Sequence, residues 1–235
     1  MKALVISHED ASGSGLIGSR LRERGIQVIN HTVVTDVSKP NQGAPFPALD
    51  GYDLLVVMGS YWSVEDSETI GGWINAELNF IRSAHQANTP VFGVCFGGQA
   101  LAKALGGRVE PAPETEIGWY RLDGDDLPVS DGPWLEWHHD RFEIPPGAEL
   151  LATTPICPQL YRLGRSVGTQ FHPEITVELM NEWLASASED YLSRHNIDTE
   201  ELLSDVKEHQ VANRRNCYAL VDWFLEEIAL LEPPA

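Results

Sequence analysis

In 90-PVFGVCFGGQALAKALGG-107 a cysteine closes a short apolar run and opens an Ala/Leu-rich segment. That is the setting of a nucleophile. Gly93, Gly97 and Gly98 surround Cys95 and give the backbone freedom that a sharp strand-to-helix elbow of the G-x-S-x-G kind requires. Such an elbow puts its side chain at the carboxyl edge of a sheet, where open α/β folds bind ligands. A helix starting directly after Cys95 aims its positive end at the sulfur and favours the attacking thiolate. The backbone N–H of Phe96 then becomes a donor for an oxyanion. Gln99, further along the same helix, comes round to the same side and is placed to hold the polar end of a substrate.

A cysteine nucleophile needs a base, and the base needs a group to orient it. The sequence 170-QFHPE-174 offers both. Read as a strand, it puts His172 and Glu174 on one face, with Pro173 ending the ladder between them. Glu174 would accept from one ring nitrogen while the other faces the thiol.

The elements that must carry these groups follow an alternating pattern. Residues 2–7 read as a strand, 15–25 as a helix, 26–34 as a second strand, and 38–51 as a Pro- and Gly-rich loop. Residues 53–59 and 90–95 read as fully buried strands, with amphipathic helix 73–87 between them and helix 98–105 after the second. Strands that are apolar on both faces and alternate with helices imply a three-layer α/β fold with a mostly parallel central sheet. Past residue 107 the turn signals 123-DGDD-126, 131-DGP-133 and 145-PPG-147 suggest antiparallel strands added to that set. Residues 166–174 read as a late strand, and Val177 to Leu231 as mostly helical with a helix–loop–helix around 189–201. No repeat or long linker divides the chain, so one domain over 1–235 is expected.

Composition excludes several classes. With 16 Lys+Arg against 35 Asp+Glu, the net charge of −19 repels nucleic-acid phosphates and anionic membranes. No apolar run approaches the roughly 18 residues of a membrane span, and the N-terminus lacks a signal-peptide pattern, so a soluble, cytoplasmic protein is expected. Cys95, Cys157 and Cys217 are odd in number and widely spaced, which argues against a disulfide framework and against a paired zinc motif. Cys157 and Cys217 read as packed apolar positions. His138 and His139, next to Asp140, point to opposite faces of an extended chain and are not expected to share a metal. His8, His31, His85, His195 and His209 read as surface or capping residues. The stretch 13-GSGLIG-18 matches a dinucleotide fingerprint, but 8-HEDAS-12 separates it from the strand end. It reads instead as a loop that borders the site.

Taken in order, 93-GVCFGGQ-99, 116-EIGW-119, 137-WHHDRF-142, 159-QLYRLG-164 and 171-FHPE-174 resemble the class I (triad) glutamine amidotransferases, particularly their stand-alone, GMP-synthase-like branch. The resemblance implies a flavodoxin-like fold, with Cys95 as nucleophile, His172 as base and Glu174 as the orienting acid. It implies oxyanion donors at Phe96 and in the Gly59–Ser60 turn, with Gln99 and the backbone around His139 and Asp140 near the bound glutamine. The substrate would be a small molecule, glutamine or a γ-glutamyl compound, and no cofactor would be needed. The ammonia would go to a separate synthetase subunit, or to no acceptor in a stand-alone γ-glutamyl hydrolase. The chain departs from the family where a Gly-Gly-Pro turn is usual: 58-MGSYWSV-64 has Ser60 and Tyr61 there, so a reshaped glutamine pocket is expected.

Overall fold

The computed structural model describes residues 1–125 and 127–230. Asp126 of the expected 123–126 turn and Leu231 at the end of the expected helical tail lie outside them. The first half alternates as expected: β1 (Lys2–Ser7), α1 (Gly15–Glu23), β2 (Gln27–Thr32), β3 (Leu54–Val57), α2 (Ser67–Ile70), α3 (Ile74–Gln86), β4 (Val91–Val94) and α4 (Phe96–Ala104). Five strands follow in the order β5 (Arg108–Tyr120), β6 (Trp134–Glu143), β7 (Glu149–Thr153), β8 (Pro158–Leu163) and β9 (Ser166–Thr169). The chain then turns helical through α5 (Val177–Ser186), α6 (Glu189–Arg194) and α7 (Thr199–Trp223), and α7 runs into a π-helical turn at Phe224–Ile228.

Seven strands form one sheet in the order β2-β1-β3-β4-β9-β8-β7. Its first five strands are parallel, and β8 and β7 join antiparallel at one edge. The residues of β3, β4 and β9 are all buried, as strands covered on both faces must be. Alternation decides which layer each side chain joins. Ala3, Val5, Leu54, Val56, Phe92 and Val94 pack with Ile17 and Leu21 of α1 and with Cys217, Leu220 and Val221 of α7. Leu4, Ile6, Leu55, Val57 and Val91 pack on the other face with Ile74, Leu78 and Ile81 of α3 and with Phe96, Ala100 and Leu101 of α4. Three layers result, with the flavodoxin-like strand order.

The second half differs from expectation in one respect. β5 and β6 pair only with each other, in a separate antiparallel ribbon, while β7 and β8 are the strands added to the main sheet. The ribbon is tied to the sheet's edge loops by His172 N donating to Leu135 O at 2.8 Å. A third apolar cluster, of Leu135, Ile175, Leu179, Met180, Leu202 and Val206, fastens α5 and the start of α7 beneath it.

Chain direction opens the crevice. From β1 the chain goes to β2 on one side and returns to β3 on the other, so the segments leaving β1 and β3 diverge at the carboxyl edge. The cavity lies there, between 9–13, 58–63 and the start of α4. No helix among the described residues is long and apolar enough to cross a membrane.

Candidate active site

Cys95 is the single residue between β4 and α4, with φ 49° and ψ −108°. A non-glycine residue at positive φ is strained and is held there only by its surroundings. Its N–H donates to Thr169 O at 2.8 Å, and its carbonyl accepts from Gln99 N at 2.8 Å. The elbow glycines serve packing more than substrate access: a Cβ on Gly97 would stand 2.0 Å from Val57 O, and one on Gly98 2.4 Å from Thr169 O. They let α4, which starts at Phe96 rather than at residue 98, seat directly against the backbones next to β4.

His172 and Glu174 meet, though not along a strand. β9 ends at Thr169, and residues 170–174 form a bend and turn held by the His172–Leu135 bridge. Pro173, lacking an N–H, suits a turn as well as a strand end. His172 Nδ1 and Glu174 Oε1 are 2.7 Å apart, and the ring faces the Cys95 thiol. Burial opposes a charge on this ring, but Glu174 and Cys95 outweigh it and push its pKa well above the ordinary histidine value. Cys95, His172 and Glu174 are all buried.

The three groups border a cavity of about 520 Å³. Gln170 Nε2 approaches Cys95 Sγ at 3.7 Å, while Gln170 Oε1 accepts from Gln99 Nε2 at 3.3 Å. Gln99 also donates to Asp140 O at 2.9 Å, so its amide is engaged with protein although it lines the cavity. Asp140 likewise lines the cavity and accepts from Ser63 Oγ. His139 Nε2 stands 2.7 Å from Tyr191 Oη, which also accepts from Trp137 Nε1 at 2.7 Å. The amides of Phe96 and Ser60 donate to no backbone acceptor among the described residues.

Several contributors were not singled out in the sequence. Trp183 of α5 packs edge-on to His172, ring centroids 4.8 Å apart, and donates to Ala11 O at 2.8 Å. Together with Trp137, Tyr191, Tyr61 and Trp62 it lines the cavity. The 13-GSGLIG-18 stretch does border the site, since Leu16 N donates to Glu174 O at 2.9 Å and Gly13 lines the cavity. His8 is not a surface residue: it is fully buried, as is its partner Glu77. Cys157 is not packed apolar either. It belongs to a buried polar cluster with Glu116, His138 and Gln159, all ligating atoms of Glu116, His138 and Cys157 lying within 4.8 Å of one another. Burial opposes charge on His138, yet Cys157, Glu116 and Glu136 hold its pKa far up, while burial pushes Glu136 up to about 7. Glu116, His138 and Cys157 converge from positions far apart in sequence, and no local pattern announces that.

An elbow cysteine at the carboxyl edge of a flavodoxin-like sheet, with a histidine–carboxylate pair against it, is the arrangement of the triad amidotransferases. Residues 10–187 match the family model "Glutamine amidotransferase class-I", and the chain belongs to that family. It is 30% identical over 207 residues to the GMP synthase (glutamine-hydrolysing) of Aeropyrum pernix, a match covering 82% of this chain and 38% of that protein. The chain thus corresponds to well under half of that relative. It is 27% identical over 246 residues to the glutamine amidotransferase-like protein YfeJ of Salmonella typhimurium, covering 98% of both. Among solved structures, a glutamine amidotransferase from Thermotoga maritima superposes with a TM-score of 0.81 at 25% identity, over 97% of this chain and 98% of that one.

Proposed function

We propose that the protein hydrolyses the side-chain amide of glutamine, or of a γ-glutamyl compound, through a γ-glutamyl thioester on Cys95. The His172 ring, its pKa raised beside Glu174 and Cys95, holds the proton given up by the thiol, and the Cys95 sulfur attacks the γ-carbonyl carbon. The N–H groups of Phe96 and Ser60, the latter in the Gly59–Ser60 turn, hold the oxyanion. The tetrahedral intermediate collapses with His172 protonating the departing ammonia. Water, activated by the same ring, then attacks the thioester, releasing glutamate and regenerating the thiol. Glu174 keeps the ring oriented and stabilises its charge. Gln99, His139 and Asp140 belong to the wall that receives the substrate, with Gln99 acting through the Asp140 carbonyl. The chemistry needs no cofactor.

The single observation that carries this reading is the strained Cys95 elbow opening into the cavity, beside a His172 ring that Glu174 holds at 2.7 Å. The similarity to glutamine-hydrolysing synthetases supports a synthetase as the acceptor of the ammonia. A second reading, a stand-alone γ-glutamyl hydrolase, is favoured by the cavity itself. At about 520 Å³ with Tyr61, Trp62, Trp137, Trp183 and Tyr191 around it, it lies in the range that drug-sized ligands fill. The deciding experiment is glutamate release from L-glutamine beside a panel of γ-glutamyl peptides, with Cys95→Ala as control. Cys95-dependent turnover of glutamine supports the first reading and preference for peptides the second; full activity of Cys95→Ala removes both.

A further inference from the structure

The carbonyl of the Gly59–Ser60 peptide is held by His8, on the segment that leaves β1. His8 Nδ1 stands 3.1 Å from Gly59 O, and Nε2 stands 2.8 Å from Glu77 Oε1 on α3. Both partners are acceptors, so with Glu77 ionised both ring nitrogens must carry protons. Burial works against that charge, but Glu77 outweighs it and the ring pKa is raised. Phe96 and Trp73 close over the ring, with centroids 4.4 and 5.7 Å away. Neither His8 nor Glu77 is among the residues lining the cavity.

The geometry on the far side of that peptide makes the arrangement informative. In a planar trans peptide the carbonyl and the following N–H point in opposite directions. With Gly59 O fixed toward His8, the Ser60 N–H is turned away from His8. Gly59 itself abuts the reacting groups: a Cβ there would lie 3.0 Å from His172 Cε1 and 3.7 Å from Cys95 Cβ. Ser60 is also held by its side chain, which donates to Glu9 Oε2 at 3.0 Å, while Glu9 accepts from Ser12 as well. A turn reading Gly-Ser-Tyr has no proline to stiffen it, and the buried His8 and Glu9 supply the constraint.

We propose that the His8–Glu77 pair is a positioning device that fixes the Gly59–Ser60 peptide so that the Ser60 N–H serves as the second oxyanion donor. The proposal rests on the reading of Cys95 as the acylated nucleophile. Asparagine at position 8 can place an amide N–H where Nδ1 stands, whereas glutamine reaches toward Glu77 and leaves Gly59 O unbound. Glutamine at position 77 can donate to Nε2 of a neutral ring and keep both hydrogen bonds.

The test compares His8→Asn, His8→Gln and Glu77→Gln in the full chain, measuring kcat and KM for L-glutamine and γ-glutamyl-p-nitroanilide and the rate of Cys95 alkylation by iodoacetamide. Alkylation displaces iodide at a saturated carbon and forms no oxyanion, so it reads the thiol and its base but not the donor. The expected result for His8→Gln is a kcat lower by about 10²- to 10³-fold, the usual effect of one lost oxyanion donor, with KM and alkylation nearly unchanged. His8→Asn and Glu77→Gln should stay within about tenfold of wild type on the same scale. Should His8→Gln not fold, the smaller loss in His8→Asn decides: it vanishes in a Ser60→Pro background, where the donor is already gone. Equal losses in His8→Asn and His8→Gln, alkylation falling in parallel with kcat, or undiminished kcat in His8→Gln would overturn the proposal. Turnover in Cys95→Ala equal to wild type, or no turnover in wild type, would instead remove the nucleophile reading on which it rests.

Discussion

Cys95, His172 and Glu174 have a counterpart elsewhere in the chain, in Cys157, His138 and Glu116. Both sets are a buried cysteine, histidine and glutamate, with the histidine hydrogen-bonded to the glutamate. Their surroundings differ. In the first, Glu174 holds one ring nitrogen and the ring faces a sulfur that sits on a strained elbow and lines the cavity. In the second, Glu116 Oε2 is the hub, accepting from His138 Nε2 at 3.1 Å, Gln159 Nε2 at 3.0 Å and Cys157 Sγ at 3.3 Å. The other His138 nitrogen is committed to Asp140 O at 3.0 Å, and burial raises the Cys157 pKa. Cys157 is not among the residues that line the cavity. Residue type alone therefore does not define a nucleophile. A backbone elbow, an open approach and a ring nitrogen left free for the sulfur do.

The comparison can be broken at its strongest point first. His172→Ala should lower kcat/KM for the γ-glutamyl substrate by at least about 10³-fold, and Glu174→Gln by about 10²- to 10⁴-fold, since the first removes the base and the second the carboxylate that orients and stabilises it. Steady-state assays on folded protein check both, and a loss under tenfold in His172→Ala would mean that the two clusters are not functionally different. In the second cluster the effect should appear in stability instead. His138→Ala leaves Glu116 buried without its cationic partner and should lower unfolding free energy by about 3–5 kcal/mol, read by urea denaturation.

Glu136 sharpens the contrast through pH. Its folded pKa of about 7 lies above the ordinary carboxyl value of 4.5, so between those limits the folded state binds the extra proton and this group's contribution to stability falls as pH rises. Glu136→Gln, which cannot ionise, should therefore gain on wild type from pH 5 to pH 8, by up to ~3 kcal/mol. A stability difference that stays constant with pH would show that Glu136 is ionised in the fold. Smallest of all, Cys157→Ala should cost about 1–2 kcal/mol and keep kcat, whereas Cys95→Ala should lose turnover while remaining folded. Loss of turnover in Cys157→Ala would erase the distinction between the two clusters.

The Cys95 side of the comparison was legible in the sequence because it is written locally. Strand, glycines, cysteine and helix follow one another within 90–107, and the histidine and glutamate are separated by one residue. The alternation of elements likewise gave the parallel sheet and its layers. What could not be read depends on distant partners. The backbone bringing His172 to Glu174 is a turn rather than a strand, because β9 stops at Thr169 and the bridge to Leu135 takes over. The β5–β6 segments carry turn signals that suit any antiparallel strand, and nothing local says that they pair with each other instead of with the main sheet. His8 and Glu77 lie 69 residues apart and meet only because β1 and α3 are layered together. The same holds for Trp183 and Tyr191, which α5 and α6 bring to the cavity from well beyond the motifs.

The central claim is that Cys95, and no other thiol, carries the acyl group. Acid-quenching the enzyme during turnover of L-glutamine or a γ-glutamyl peptide, followed by peptide mass spectrometry, tests it directly. The account predicts one γ-glutamyl group on the Cys95 peptide and none on those containing Cys157 or Cys217. Turnover that proceeds with Cys95 unmodified, or an adduct on Cys157, would contradict it.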